Sequence, residues 1–216
     1  FVADPFMVRE NNTWYMFFEV MNLHTKKGEI GLALSDDGLN WTYKQIVLSE
    51  PFHLSYPYVF KWENEYYMIP ETKRTNSIRL YRAVDFPMKW SFESTLLEGY
   101  AFEDASVVRF GGKWWMFTSV TCSFLYLYYA EILSGPWIMH SQSPVIRGDP
   151  KISRPGGRVI IFQDKIVRFT QDCQLIYGNQ VRAFEITELT TTSYKEREIK
   201  EEPVLRASGS GWNAKG

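Results

Sequence analysis

Apolar and polar positions in this chain alternate in short runs, without the three-to-four spacing of a helix face. Runs such as "ADPFMV", "TWYMFFE" and "EIGLALS" are rich in aromatic and β-branched residues and are separated by polar or glycine-rich punctuation, which is strand-and-turn chemistry. Four segments align with one another: "ADPFMVRENNTWYMFFE" at 3–19, "SYPYVFKWENEYYMIPE" at 55–71, "EDASVVRFGGKWWMFTS" at 103–119 and, with a small gap, "SRPGGRVIIFQDKIVRFTQ" at 153–171. Each reads as strand, turn, strand, with turns at "RENN", "KWENE" and "RFGGK" in the first three. A third strand follows in every unit ("EIGLALS", "SIRLYRA", "YLYYAEI", "VRAFEIT"), and in the first three a short loop then leads to Trp41, Trp90 or Trp137. These tryptophans are expected in the core between sheets. Units of about fifty residues with four strands and no long amphipathic helix are the pattern of propeller blades.

The expected fold is all-β: a β-propeller of the five-bladed type, occupying 1–216 as one domain. Blades are expected at about 1–50, 51–99, 100–150 and 151–193, with 194–216 starting a last blade that is truncated.

Composition narrows the function. With 45% hydrophobic and 17% aromatic residues, 216 positions suffice for a sizeable core. Twenty-four Lys and Arg balance 25 Asp and Glu without a basic block, so the electrostatic footprint of a nucleic-acid binder is missing. No run approaches the roughly 18 apolar residues of a membrane span, and no basic signal-peptide start is present. The chain is expected to be soluble, with its compartment open. Cys122 and Cys173 form no metal-ligand spacing and are too few for a disulfide framework. Cys173 lacks a recognisable catalytic partner, and "RPGG" lacks the spacing of a phosphate loop. His24 in "HTKKGE" sits in a charged loop of the solvated kind. No cofactor and no metal are expected.

Candidate chemistry comes from the repeat. In a propeller the first strand of each blade lines the central channel, so equivalent positions converge there. Asp4, Tyr56, Asp104 and Arg154 are equivalent, as are Glu19, Glu71, Ser119 and Gln171. Core positions repeat their residue type and these do not, which suits a site drawing a different group from each blade. Asp4 and Asp104 are expected to face a common pocket. Paired carboxylates with pKa values pushed apart cleave glycosidic bonds, a wide separation suiting inversion, and Glu71 is a candidate proton donor. His53, Tyr56, Tyr58 and Trp62 offer stacking faces and hydrogen-bond partners for a sugar. Asp172 is either a ligand for substrate or an anchor for Arg168 or Arg158. The plainer role for Asp4 and Asp104 is capping of backbone N–H groups in a neighbouring blade; for His53 it is that of a strut.

"ADPF" and "EDASVVRF" resemble the blade openings of the arabinanase, levansucrase and invertase superfamily, with glycoside hydrolase family 43 the nearest enzyme pattern. That resemblance implies a general base at Asp4 and a pKa-tuning, orienting role at Asp104. At the position where the family carries its general-acid glutamate this chain has "SRPGGR", so Arg154 stands there, and a guanidinium does not donate a proton at neutral pH. Over nearly the whole length, "FVADPFMV", "FHLSYPYVF", "YYMIPET", "LYYAEILSGPW", "SRPGGR", "QDC" and "GSGWNAKG" resemble the propeller domain of glucosamine inositolphosphorylceramide transferases and bacterial relatives. This implies a carbohydrate ligand and an attached or partner glycosyltransferase domain. Arg154 and Arg158 then offer planar forks for a carboxylate or phosphate, the alternative being ion pairs with Asp or Glu. Three functions follow: a glycan-recognising module serving a glycosyltransferase, a glycosidase with Asp4 as base, or a structural platform.

Overall fold

A computed structural model describes residues 1–174 and 178–211; 212–216, the end of the "GSGWNAKG" motif, lie outside the described residues. The chain divides into two compact units, Phe1–Phe102 and Glu103–Gly216.

The first unit holds two four-stranded antiparallel sheets in sequential order. One is β1 (Val2–Glu10), β2 (Thr13–Asn22), β3 (Lys27–Ser35) and β4 (Thr42–Leu48). The other is β5 (Ser55–Trp62), β6 (Glu65–Glu71), β7 (Ser77–Asp85) and β8 (Lys89–Glu98), with a 3₁₀ turn at Lys73–Thr75. The second unit repeats the plan. Its first sheet runs through β9 (Glu103–Phe110), β10 (Lys113–Val120) and β11 (Phe124–Ala130), and two short strands, β12 (Ile138–Met139) and β13 (Ile146–Arg147), both pair with β11. The last sheet contains β14 (Arg154–Pro155), β15 (Ile160–Phe162), β16 (Lys165–Gln171), β17 (Gln180–Leu189), β18 (Tyr194–Glu198) and β19 (Leu205–Arg206). Here β14 and β15 share one partner, β16, so the first strand of this sheet is interrupted at 156–159. The segment from Tyr194 completes this sheet along β17, and β19 also pairs with β17; the blade boundary expected at 193 therefore falls inside the sheet.

Each inner hairpin turns on two residues of positive φ: Asn11 and Asn12, Glu63 and Asn64, Gly111 and Gly112, Gln163 and Asp164. This is the type I′ geometry whose twist matches the flanking strands. Asn, Gly and Asp tolerate it best, which explains the polar punctuation. Apolar side chains between turns fill the interior. In the second unit Val108, Trp115, Phe117, Leu125, Leu127, Val159, Ile166 and Ile186 form one buried cluster, each large side chain contributing about 1.5–3 kcal/mol on burial. Trp90 and Trp137 are buried and donate their indole N–H to the carbonyls of Pro87 and Leu133; Trp41, at the equivalent place, is half-buried. Among the described residues no helix is long and apolar enough to cross a membrane.

Candidate functional site

The first strands of the sheets break register at the same point. Pairing shifts between Ala3 and Phe6 in β1, between Ser55 and Tyr58 in β5, and opposite Phe117 to Ser119 for β9. At each break one non-glycine residue holds a left-handed backbone: Asp4 at φ 51°, Tyr56 at 45° and Asp104 at 49°. These are the equivalent positions that the repeat picked out. A bulge re-aims one side chain away from the alternation of its strand, and non-glycine residues in this region cost of order 1–3 kcal/mol, a strain concentrated at functional sites. In the fourth sheet Arg154 keeps an ordinary φ, and the irregularity falls on Gly156 and Gly157. A Cβ on Gly156 would meet the Gln171 N and Thr170 C atoms at 2.7 Å.

In the first unit the bulged Asp4 turns its carboxylate to the next sheet, where Oδ2 accepts the Tyr56 N–H at 3.2 Å. This is the capping contact named as the plainer role. Tyr56 and Tyr58 are each 3% exposed and pack on Phe6, Tyr56 edge-on with centroids 4.8 Å apart. Their rings are core, and the stacking face expected of Tyr56 is covered; Trp62 is half-buried. Glu71, at the end of β6, is buried and accepts the Ser55 hydroxyl at 3.4 Å. His53 accepts the Gly28 N–H through Nδ1 at 2.8 Å, which puts its proton on Nε2, 3.6 Å from Glu19 Oε1. Burial, and then the charge of Arg74, lowers the His53 pKa, so the neutral ring prevails at pH 7. Gly28 is obligatory for this seat: a Cβ there would stand 2.3 Å from Leu54 O, 2.7 Å from His53 Cε1 and 2.9 Å from Glu19 Oε1. Glu19 entered the sequence reading only as a ring position, and its partnership with His53 was not legible there.

In the second unit Asp104 makes the equivalent reach to the next sheet and meets a guanidinium. Arg154 Nε and Nη2 donate to Asp104 Oδ2 and Oδ1 at 2.6 and 3.3 Å, and Gln171 Nε2 donates to Oδ2 at 2.6 Å. Asp104 is 2% and Arg154 8% exposed. The Nε–Nη2 edge of the guanidinium faces one carboxylate, the ion pair offered as the alternative to anion capture. Glu103, also buried, accepts the Ser119 hydroxyl at 2.9 Å and the Cys122 N–H at 2.7 Å, and its Oε1 lies 3.9 Å from Arg154 Nη1. Arg158 is half-buried between β14 and β15. Asp172 serves its own loop, accepting the Gln174 N–H at 2.9 Å and Gln180 Nε2 at 2.8 Å. The anchoring of Arg168 by Asp172 is corrected: Arg168, buried against the Phe184 ring, forms its ion pair with Glu196, which β18 brings alongside. Among the described residues no group of three His, Cys, Asp or Glu side chains is arranged to hold a metal. Each unit by itself offers carboxylates as hydrogen-bond acceptors for hydroxyl groups, the first with a neutral imidazole and the second with a guanidinium bound to carboxylate.

A family described as glucosamine inositolphosphorylceramide transferase 1, N-terminal, matches residues 1–215. Among curated proteins, glucosamine inositolphosphorylceramide transferase 1 of Oryza sativa subsp. japonica is 41% identical over 205 residues, which are 91% of this chain and 27% of that protein. The Arabidopsis thaliana protein of the same name is 35% identical over 223 residues, 99% of this chain and 29% of its own. The chain thus spans under a third of the length of these relatives. Among solved structures, a thermostable family-43 glycoside hydrolase aligns at TM-score 0.69 and 18% identity, over 94% of this chain and 76% of that one. The catalytic domain of the Coprinopsis cinerea GH62 α-L-arabinofuranosidase aligns at TM-score 0.74 and 12% identity, over 98% and 74%. At such identities the likeness speaks for fold alone: an all-β propeller, with the four sheets described above as blades.

Proposed function

The chain belongs to the family of N-terminal domains of glucosamine inositolphosphorylceramide transferase 1, and from that membership we propose that it recognises a glycan on behalf of a glycosyltransferase. The observation that carries the reading is Arg154. Where family-43 hydrolases carry a general acid, this chain has a guanidinium engaged with Asp104, which cannot donate a proton at neutral pH. Taken by itself, the first unit offers Asp4, Glu19, His53 and Glu71 as binding groups, and the second, by itself, offers the Asp104–Arg154 pair. Carboxylates predominate, and carboxylates accept hydrogen bonds from sugar hydroxyls, whereas they repel phosphate. The reading therefore favours the hydroxyl-rich, uncharged part of a glycan over a sugar phosphate. A fifth blade is part of the proposal. The first sheet carries an apolar hollow of about 380 Å³ lined by Val2, Pro5, Met16, Phe18, Trp41 and Tyr43, of the kind that a further sheet covers.

The retained Asp4 sustains a second reading, an inverting glycosidase with Asp4 as base and buried Glu71 as donor. One experiment separates the two. Calorimetric titration with neutral, carboxylated and phosphorylated oligosaccharides is run beside an aryl-glycoside hydrolysis assay, for the native protein and Asp4→Asn. Saturable binding of a neutral glycan without turnover is expected. Turnover abolished by Asp4→Asn would replace recognition with hydrolysis, and the absence of both binding and turnover would overturn both readings.

A further inference from the structure

The two cysteines of the chain lie 51 positions apart in sequence and come together in the second unit. Cys122 sits in the turn between β10 and β11, at φ 55°. Cys173 follows β16, its N–H bonded to Pro150 O at 3.0 Å. Both are half-buried and neither is in a disulfide; Cys173 Sγ faces the Gln171 carbonyl at 3.9 Å, and Gln171 pairs in register with Arg154, the residue that contacts Cys122. Arg154 Nη1 donates to Cys122 Sγ at 3.3 Å, so a guanidinium already held by Asp104 also faces the sulfur. Pairing of this kind stabilises thiolate over thiol.

We propose that Cys122 and Cys173 form a thiol–disulfide redox site, with Cys122 as the attacking thiolate, Cys173 as the resolving thiol, and a small disulfide such as oxidised glutathione as oxidant. The inference stands whether or not the domain binds a glycan.

The chemistry balances with that oxidant. The Cys122 thiolate attacks one sulfur of glutathione disulfide, forming a mixed disulfide and releasing a glutathione thiolate. Cys173 then gives up its proton to solvent and attacks the Cys122 sulfur, which breaks the mixed bond and releases the second glutathione. Two electrons pass from the pair to the oxidant. The environment favours this order. The Cys173 thiol, and after it the Arg154 contact, brings the Cys122 thiol down to about 6 against the opposing effects of burial and Glu103. Cys173 is raised far above the usual thiol range, chiefly by Cys122, then by burial. When Cys122 becomes a mixed disulfide its negative charge disappears, and with it the main obstacle to ionising Cys173. Oxidation also withdraws the thiolate that Arg154 faces.

The test uses the reduced protein in glutathione redox buffers, followed by non-reducing peptide mapping. An internal Cys122–Cys173 disulfide is expected in the monomer. It should be absent in Cys122→Ser, and in Cys173→Ser replaced by glutathione retained on Cys122. The second readout is alkylation by iodoacetamide at pH 6. A thiol at about 6 is half ionised there, about 150 times more than an ordinary thiol, and its weaker nucleophilicity leaves a rate advantage of about ten-fold. Arg154→Lys should keep a charge near the sulfur and retain most of that advantage. Two thiols that stay reduced across the buffers, a disulfide joining two copies, or alkylation of Cys122 at the ordinary rate would each overturn the proposal.

Discussion

Asp4 and Asp104 make the same reach from the same bulge to different recipients. Asp4 accepts the backbone N–H of Tyr56 at 3.2 Å, and Asp104 accepts the guanidinium of Arg154 at 2.6 and 3.3 Å. Tyr56 and Arg154 are themselves equivalent in the repeat. A carboxylate at the start of one blade is thus held by the equivalent residue of the next blade in both units, once by backbone and once by side chain. The backbone contact asks only for a backbone N–H at the receiving position, which every residue but proline supplies, while the side-chain contact requires Arg154.

Arg154→Ala is therefore expected to be severe. It leaves Asp104, 2% exposed, as a buried carboxylate without its cation, at a cost of about 3–5 kcal/mol. Asp104→Asn in the same background should recover much of the loss, which a double-mutant cycle in urea measures. Additive losses would show that the pair contributes nothing as a pair.

Asp4→Gly and Asp4→Ala both remove the acceptor of the Tyr56 N–H, but only glycine relaxes the left-handed backbone at φ 51°. Asp4→Gly is expected to be the more stable of the two by about 1 kcal/mol, read from thermal unfolding. Equal stabilities would mean that the bulge relaxes once the carboxylate is gone.

Gly28→Ala drives a methyl group against Leu54 O, His53 Cε1 and Glu19 Oε1. The expected loss is about 1–3 kcal/mol, as for other overpacked sites. Nitrogen NMR of His53 should at the same time show the Nε2–H tautomer giving way to a mixture. An unchanged imidazole spectrum would show that the Gly28 N–H does not seat the ring.

His53 also sets a pH dependence with a definite sign. Its pKa is lowered on folding, first by burial and then by Arg74, so between the folded value and the unfolded value near 6.5 the unfolded chain binds the extra proton. Stability from this group is complete above about pH 6.5 and falls as the pH drops towards the lowered folded value. Urea midpoints measured from pH 7.5 to 4.5 should decline more steeply for the native protein than for His53→Gln. Parallel curves would remove His53 as the source.

Three of the four turns were legible because they are local. Asn11–Asn12, Asn64 and Gly111–Gly112 are residue types that tolerate left-handed backbone, and the apolar runs on either side leave little choice but a hairpin. Equivalence of positions 4, 56, 104 and 154 was legible for the same reason, since it follows from counting along a repeat. The partnerships were not. Nothing near Asp104 in sequence announces a cation 50 residues away, and the repeat placed an aromatic face at Tyr56 where packing on Phe6 covers it. Residues 194–198 carry no mark that distinguishes the outer strand of one blade from the start of the next; that was decided by pairing with β17.

By itself the sequence determined the hairpins, the blade period and the set of unlike polar residues at the blade starts, because each depends on interactions within a few positions. Only the tertiary structure decided that Arg154 pairs with Asp104, that His53 is seated on Gly28 beside Glu19, and that the Cys122 thiol meets that same guanidinium. Those outcomes depend on which strands come to lie side by side, and a buried charge takes whatever partner that neighbourhood supplies.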